Sequence, residues 1–186
     1  MILLVGPSAC GKTEIALTLA KKYGIKKAIT HTSREMRAGE KDGVDYYFVT
    51  DDEFEKLVKE STFVETTKYN NHYYGCSKAE IDDHKCVVID PNGLRSFNAL
   101  NDPHIISFFL NTKEERRIQR MQDRGDPMPL ILERIRNDKI TFAKENIDRV
   151  NFILSTDCNT VDQLAFVIYS LYTKTLEKIN EKSFSI

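Results

Sequence analysis

Eight residues near the start of the chain, Gly6 to Thr13, read GPSACGKT. The spacing Gly-x4-Gly-Lys-Thr is that of a loop built to hold a phosphate. Gly6 and Gly11 let the backbone wrap its amides around an anion, and Ser8, Ala9 and Cys10 fill the variable positions between them. Lys12 is placed to reach the β- and γ-phosphates of a nucleotide, and the Thr13 hydroxyl to ligate Mg2+. The motif carries weight only between a strand and a helix. ILLV precedes it and KTEIALTLAKKYG follows, so a helix N-terminus adds its partial positive charge to the loop. Cys10 lies beside that N-terminus and Lys12, which predicts a lowered thiol pKa and an alkylation that ATP prevents.

Other residues suit the same chemistry. Asp90 ends the apolar run CVVID, and a carboxylate at the carboxyl end of a buried strand borders the ligand crevice of an open α/β sheet. It could order Mg2+ through water, touch a second substrate, or merely cap the following PNGLRSF. Arg34 and Arg37 offer planar forks for a phosphate, with the hydroxyls of Thr30 and Tyr46 as further donors. Arg116, Arg120 and Arg124 are spaced by four and share one helix face, so an anion is expected to relieve their repulsion; Asp123 can serve Arg120 in part. Asp126 is predicted as an N-cap, with Pro127 at the first helical position.

A chain of 186 residues suits one domain with a small insertion. The formal net charge of -1 argues against nucleic acid as a partner. No apolar run is long enough to span a membrane, and MILLVGPS lacks the basic region of a signal peptide, so the expected location is the cytoplasm. Cys10, Cys76, Cys86 and Cys158 lack metal-site spacing and are expected as reduced thiols. Monomer and homodimer are both open.

The elements that must position these residues alternate. ILLV and KKAITH read as strands, and the continuous apolar runs CVVID (86–90), IISFFL (105–110) and FILS (152–155) as parallel strands covered on both faces. Capping boxes announce helices at Thr50/Glu53, Ser77/Glu80, Thr112/Glu115 and Thr160/Gln163. The aromatic, β-branched block from Asp45 to Gly75 reads as a small, mostly antiparallel insertion with one short helix. TLEKINEKSFSI is expected to be a fraying helix and tail.

The segment THTSREMRAGEKDGVDYYF, then FVETTKY, HYYGCSK, VVIDPNGL and RMQDRG, together with GPSACGKT, resembles the guanylate kinase family over about residues 2–170. The resemblance implies an α/β fold: a P-loop NTPase-type parallel sheet core flanked by helices (about 1–33, 76–123 and 145–175), an antiparallel NMP-binding insertion (34–75) and a helical lid (124–144), with a tail over 175–186. It implies transfer of the γ-phosphoryl group of ATP to GMP, and to dGMP, with Mg2+. Arg34, Arg37, Tyr46 and Tyr74 would hold the GMP phosphate, with Thr30 a weaker candidate. Gly75, Cys76 and Asp90 would lie along the guanine. Glu65 could accept from guanine N1–H and the 2-amino group, a donor pair adenine lacks; as a bare pattern it is equally a surface residue of a strand. Arg120 and Arg124 match the start of the family's lid, so Lys12, Arg37, Arg124 and Arg134 would act on the transferred group, with Arg136 a rival to Arg134 because the intervening segment is one residue short. Two departures stand out. Cys76 replaces a Ser or Thr, and Val88 replaces the first of two acidic residues, which keeps a different nucleotide or a sugar phosphate open as acceptor. A catalytically silent interaction module is the remaining alternative.

Overall fold

The computed structural model describes residues 1–69 and 71–183. Five parallel strands form the central sheet in the order β2 (Lys26–Lys27), β7 (Lys85–Ile89), β1 (Ile2–Val5), β8 (Ile106–Asn111) and β9 (Phe152–Ser155). Both faces of the middle strands are buried, which is why they read as unbroken apolar runs rather than alternating ones. The period of two still operates. Ile2, Leu4, Ile106, Phe108 and Leu110 point into one core, against α1 (Lys12–Tyr23) and α6 (Val161–Ser183). Met1, Leu3, Val5, Val87 and Ile89 point into the other, against α3 (Pro91–Ala99).

The predicted strand KKAITH is two strands in two sheets. Lys26 and Lys27 pair with β7, whereas His31 and Thr32 form β3 of a second sheet. That sheet runs β4 (Tyr47–Phe48), β3, β6 (His72–Ser77), β5 (Phe63–Tyr69) and is antiparallel apart from the β3–β4 pair. It therefore begins three residues before the expected boundary at 34. The rings of Phe63 and Tyr73 stack on Phe54 at 4.6 and 5.2 Å and give the insertion its own small core under α2 (Asp51–Lys59).

Two of the four capping boxes form. Thr50 and Glu53 bond reciprocally at α2, and Thr160 and Gln163 do so ahead of α6. Ser77 makes no side-chain cap. Thr112 bonds the Thr156 hydroxyl at 2.6 Å instead of capping α4 (Glu114–Asp123). Both residues are buried, and the Thr112 side chain is committed to a tertiary contact, which a four-residue pattern does not reveal. Nor does Asp126 cap α5 (Met128–Thr141): the N-cap is Pro127, and Asp126 turns to arginines. From Thr175 the expected tail continues α6 to Ser183; residues 184–186 lie outside the described residues. Among the described residues no helix is long and apolar enough to cross a membrane.

Replacing Thr50 with Ala removes the side-chain half of the α2 cap, the bond from the Glu53 amide to the Thr50 hydroxyl, and leaves the Thr50 amide free to donate to Glu53. The expected cost is about 1 kcal/mol, a fall of roughly 2–4 °C in Tm by calorimetry. An unchanged Tm would mean the box contributes nothing.

Candidate active site

The phosphate loop follows β1 and is held by close contact rather than by free space. A Cβ on Gly6 would lie 2.7 Å from the Leu110 carbonyl oxygen and 2.8 Å from Cys10 Sγ, so no larger residue fits. Gly11 starts α1 with φ at 102°. Ala9 also adopts the left-handed region, at φ 59°. A residue with a Cβ pays on the order of 1–3 kcal/mol there. Lys12 Nζ donates to the carbonyls of Gly6 and of Pro7, the latter at 2.8 Å, and is thereby folded over the loop it serves.

One cleft of about 910 Å3 joins this loop to the insertion. Gly6, Ser8, Lys12 and Thr13 line its loop end. Thr30, Tyr46, Glu65, Tyr74, Gly75 and Asp90 line the other. Residues from two sheets and two helices thus converge, although up to 84 positions separate them in sequence. Ala9, Cys10, Gly11, Arg34, Arg37, Cys76, Arg120, Arg124 and Arg134 are not in its wall.

Glu65 is the electrostatic oddity of the cleft. Burial, and then the nearby Asp90 charge, raise its pKa to about 7. Its Oε1 accepts the Cys76 amide at 3.2 Å, which fixes the carboxyl while leaving acceptor capacity. Cys76 is fully buried, and its thiol is pushed up to about 12 by burial and then by the Glu65 charge. The side chain expected beside guanine is therefore packed away, and the backbone of Cys76 is what meets Glu65. Asp90 caps α3 through Oδ1 to the Gly93 amide at 2.8 Å; among the described residues its other oxygen has no protein donor. Val88 lines the cleft on the same strand.

Outside the wall, carboxylates hold Arg34, Arg124 and Arg134. Arg34 makes a two-pronged pair with Glu40, at 2.8 and 3.1 Å. Among the described residues no ion pair holds the Arg37 guanidinium. Arg124 and Arg134 share one carboxylate, Asp126, with Arg134 at 2.9 Å. Arg136 instead folds back on its own helix, toward the Leu132 carbonyl. The three arginines expected to need one anion are relieved separately. Arg116 donates to the Asp157 carbonyl, Arg120 to the carbonyls of Ala9 and Thr156, and Arg124 to Asp126. Asp123 serves Gln119, not Arg120, because it lies four residues on along the helix.

Four participants escaped the sequence reading. Lys27 and Lys68 line the cleft, and each ammonium lies over a tyrosine ring, Lys27 over Tyr46 at 5.3 Å and Lys68 over Tyr73 at 4.8 Å. A cation–aromatic contact between distant segments leaves no sequence pattern. Asp138 and Arg117 form a buried pair, 2.7 Å apart, behind the loop. Their only signal is a charged residue on the apolar stripe of each helix.

A family model for guanylate kinase matches residues 1–170. The chain belongs to the guanylate kinase family. A guanylate kinase of Fusobacterium nucleatum is 32% identical over 83% of this chain and 89% of its own length. One from Legionella pneumophila (strain Paris) is 35% identical over 68% of this chain and 66% of its own. The crystal structure of the guanylate kinase from Anaplasma phagocytophilum covers 94% of this chain and 84% of that one with a TM-score of 0.60, at 20% identity, and it supports the shared fold.

Within this guanylate kinase site the expectation for Cys10 fails. Its thiol is fully buried, and burial raises the pKa more strongly than Lys12, 3.6 Å away, lowers it. All four cysteines are free, but only Cys158 is exposed. Iodoacetamide should therefore label Cys158 alone in the native protein, and Cys10, Cys76 and Cys86 only after denaturation, as read by peptide mass spectrometry. Native-state labelling of Cys10 would contradict its burial.

Proposed function

We propose that the chain transfers the γ-phosphoryl group of ATP to GMP, giving ADP and GDP, and accepts dGMP as well because Glu65 reads the base and Arg34, Arg37, Tyr46 and Tyr74 the phosphate. The observation that carries this reading is one cleft with a phosphate loop at one end and a half-buried carboxylate at the other. Three parts do the work: the parallel core with its loop, the insertion as the acceptor-binding part, and the lid from Arg124 to about residue 144.

Glu65, once ionised, accepts from N1–H and the 2-amino group of guanine. Arg34, Arg37, Tyr46 and Tyr74, with Thr30, hold the acceptor phosphate; burial pushes the Tyr46 hydroxyl up in pKa, so it remains a donor. That phosphate is already ionised, so no general base is needed. The task is electrostatic: two anions are brought in line, and charge spreading over the transferred group is balanced. Lys12, Arg37, Arg124 and Arg134 supply this balance. Arg134 is favoured over Arg136 because it already shares a carboxylate with Arg124. Closure of the lid exchanges Asp126 for phosphate oxygens and excludes water.

The site suits Mg2+. The Thr13 hydroxyl and the free oxygen of Asp90 both face the cleft, and they are the hard oxygen donors this ion prefers. Mg2+ is held largely by substrate phosphates and water, so a site with few protein ligands fits it. Its contribution would be charge neutralisation at the phosphates.

ADP production from ATP in the presence of GMP tests the reading, with AMP, UMP and sugar phosphates as controls; preferential turnover of a control would contradict it. Lys12→Ala should lower kcat about 100- to 1000-fold with unchanged Tm, and wild-type turnover would sink the assignment. The pKa of Glu65 adds a pH prediction. Because guanine needs the ionised form, GMP affinity should rise as pH increases through about 7 and level off above it. Glu65→Gln should lose that dependence and weaken GMP by roughly 10- to 100-fold. The variant also separates out the ionisation of the GMP phosphate itself, which lies at about 6. A pH profile shared by both proteins would exclude Glu65.

A further inference from the structure

Ala9 holds a left-handed backbone inside a loop that must keep one shape, and two side chains from outside the loop grip it on either side. Asp138, on α5, accepts the Ser8 amide at 2.9 Å through Oδ2 and the Ser8 hydroxyl at 3.2 Å through Oδ1. Arg120, on α4, donates to the Ala9 carbonyl at 3.1 Å. Arg117, one turn before Arg120, neutralises Asp138 at 2.7 Å, and both partners are nearly inaccessible, at 6% and 9% exposure. The Ala9 methyl packs against Met121, Ile131 and Ile135, which α4 and α5 bury between them.

We propose that Asp138, neutralised by Arg117, is a positioning residue for ATP: it pins Ser8 and so holds Ala9 in the strained conformation in which the loop receives phosphate. Three facts join in this. The left-handed region disfavours any residue with a Cβ, so the loop needs an external hold where glycine would need none. The carboxylate grips Ser8, the residue immediately before the strained one. A buried carboxylate with a buried arginine is a costly arrangement that apolar residues would replace without loss of stability. Asp138 also faces the cleft itself, close to where phosphate must sit, so its charge is tolerable there only because Arg117 cancels it.

The inference rests on the reading of the loop as the ATP site, and the test separates the two. Asp138→Ala alone strands the buried Arg117 charge at a cost to the fold, so the informative variant is the double R117L/D138A, which removes the hold and the charge together. Calorimetry should show an unchanged Tm, ATP affinity weakened about tenfold, and GMP affinity unchanged. Adding Ala9→Gly to that double variant should recover most of the ATP affinity, because glycine reaches the same φ without help, whereas Ala9→Gly in the wild type should change it less than about twofold. Wild-type ATP affinity in R117L/D138A, parallel loss of ATP and GMP binding, or no recovery with glycine would overturn the proposal. Failure of the wild-type chain to bind ATP would overturn the reading of the loop as well.

Discussion

The site depends on the fit of the phosphate loop against the carboxyl edge of the parallel sheet. The register of β1 and β8 brings the Leu110 carbonyl to the Cα of Gly6, with no room for a side chain between them. That contact fixes where the loop leaves the sheet and so where α1 begins. The neighbouring strand β7, in register with β1 on its other side, ends at Ile89, one residue before Asp90 in the same crevice. The insertion is tied to this edge by Glu80, which is buried and accepts the Ile29 amide and the Lys85 ammonium, each at 2.8 Å, so the second sheet cannot drift from the first. One close approach, propagated through parallel register, thus sets the distance between the two ends of the cleft.

Charge organises the rest. Two polyanionic substrates need cations, and without substrate those cations repel one another. The chain answers with carboxylates of two kinds. Glu40 holds Arg34, and Asp126 holds Arg124 and Arg134, in pairs that keep partial solvent access and are exchanged more readily than a fully buried pair. Asp138 and Arg117 are buried, and breaking that pair by removing one partner is expensive. The accessible pairs suit groups that must move to substrate, the buried pair a group that must stay. Glu65 stands apart: among the described residues no ion pair holds its carboxyl, and burial with the nearby Asp90 charge raises its pKa to about 7.

Much of this was legible in the amino-acid sequence where local chemistry decides the outcome. Gly6, Gly11, Lys12 and Thr13 declare a phosphate loop by spacing, and the apolar runs of β1, β7 and β8 declare a buried parallel sheet; FILS, expected to be covered on both faces, is the edge strand β9 with Ile153 exposed. Glu65, Tyr46 and Tyr74 could be placed together only through resemblance to a family, since they reach one cleft from different strands of the insertion. What stayed hidden is tertiary. The KKAITH run divides between two sheets because pairing partners, not propensity, decide where a strand belongs. Cys10 looked activated because its sequence neighbours are a lysine and a helix N-terminus, yet packing removed its solvent and reversed the shift. The apparent caps at Thr112 and Asp126 failed because each side chain had another partner in the folded chain, and that at Ser77 failed at a residue that is buried. Ala9 passed as a variable position; its strain and the buried pair behind it depend on φ and on helices more than a hundred residues away.

The central claim is that donor and acceptor occupy two ends of one cleft. A single molecule carrying adenosine and guanosine joined through a polyphosphate chain tests it directly by titration calorimetry. The account predicts binding at one molecule per chain, tighter than ATP or GMP alone, displaced by either nucleotide, and weakened by Lys12→Ala and by Glu65→Gln alike. Binding of two molecules per chain, or displacement by only one of the two nucleotides, would contradict it.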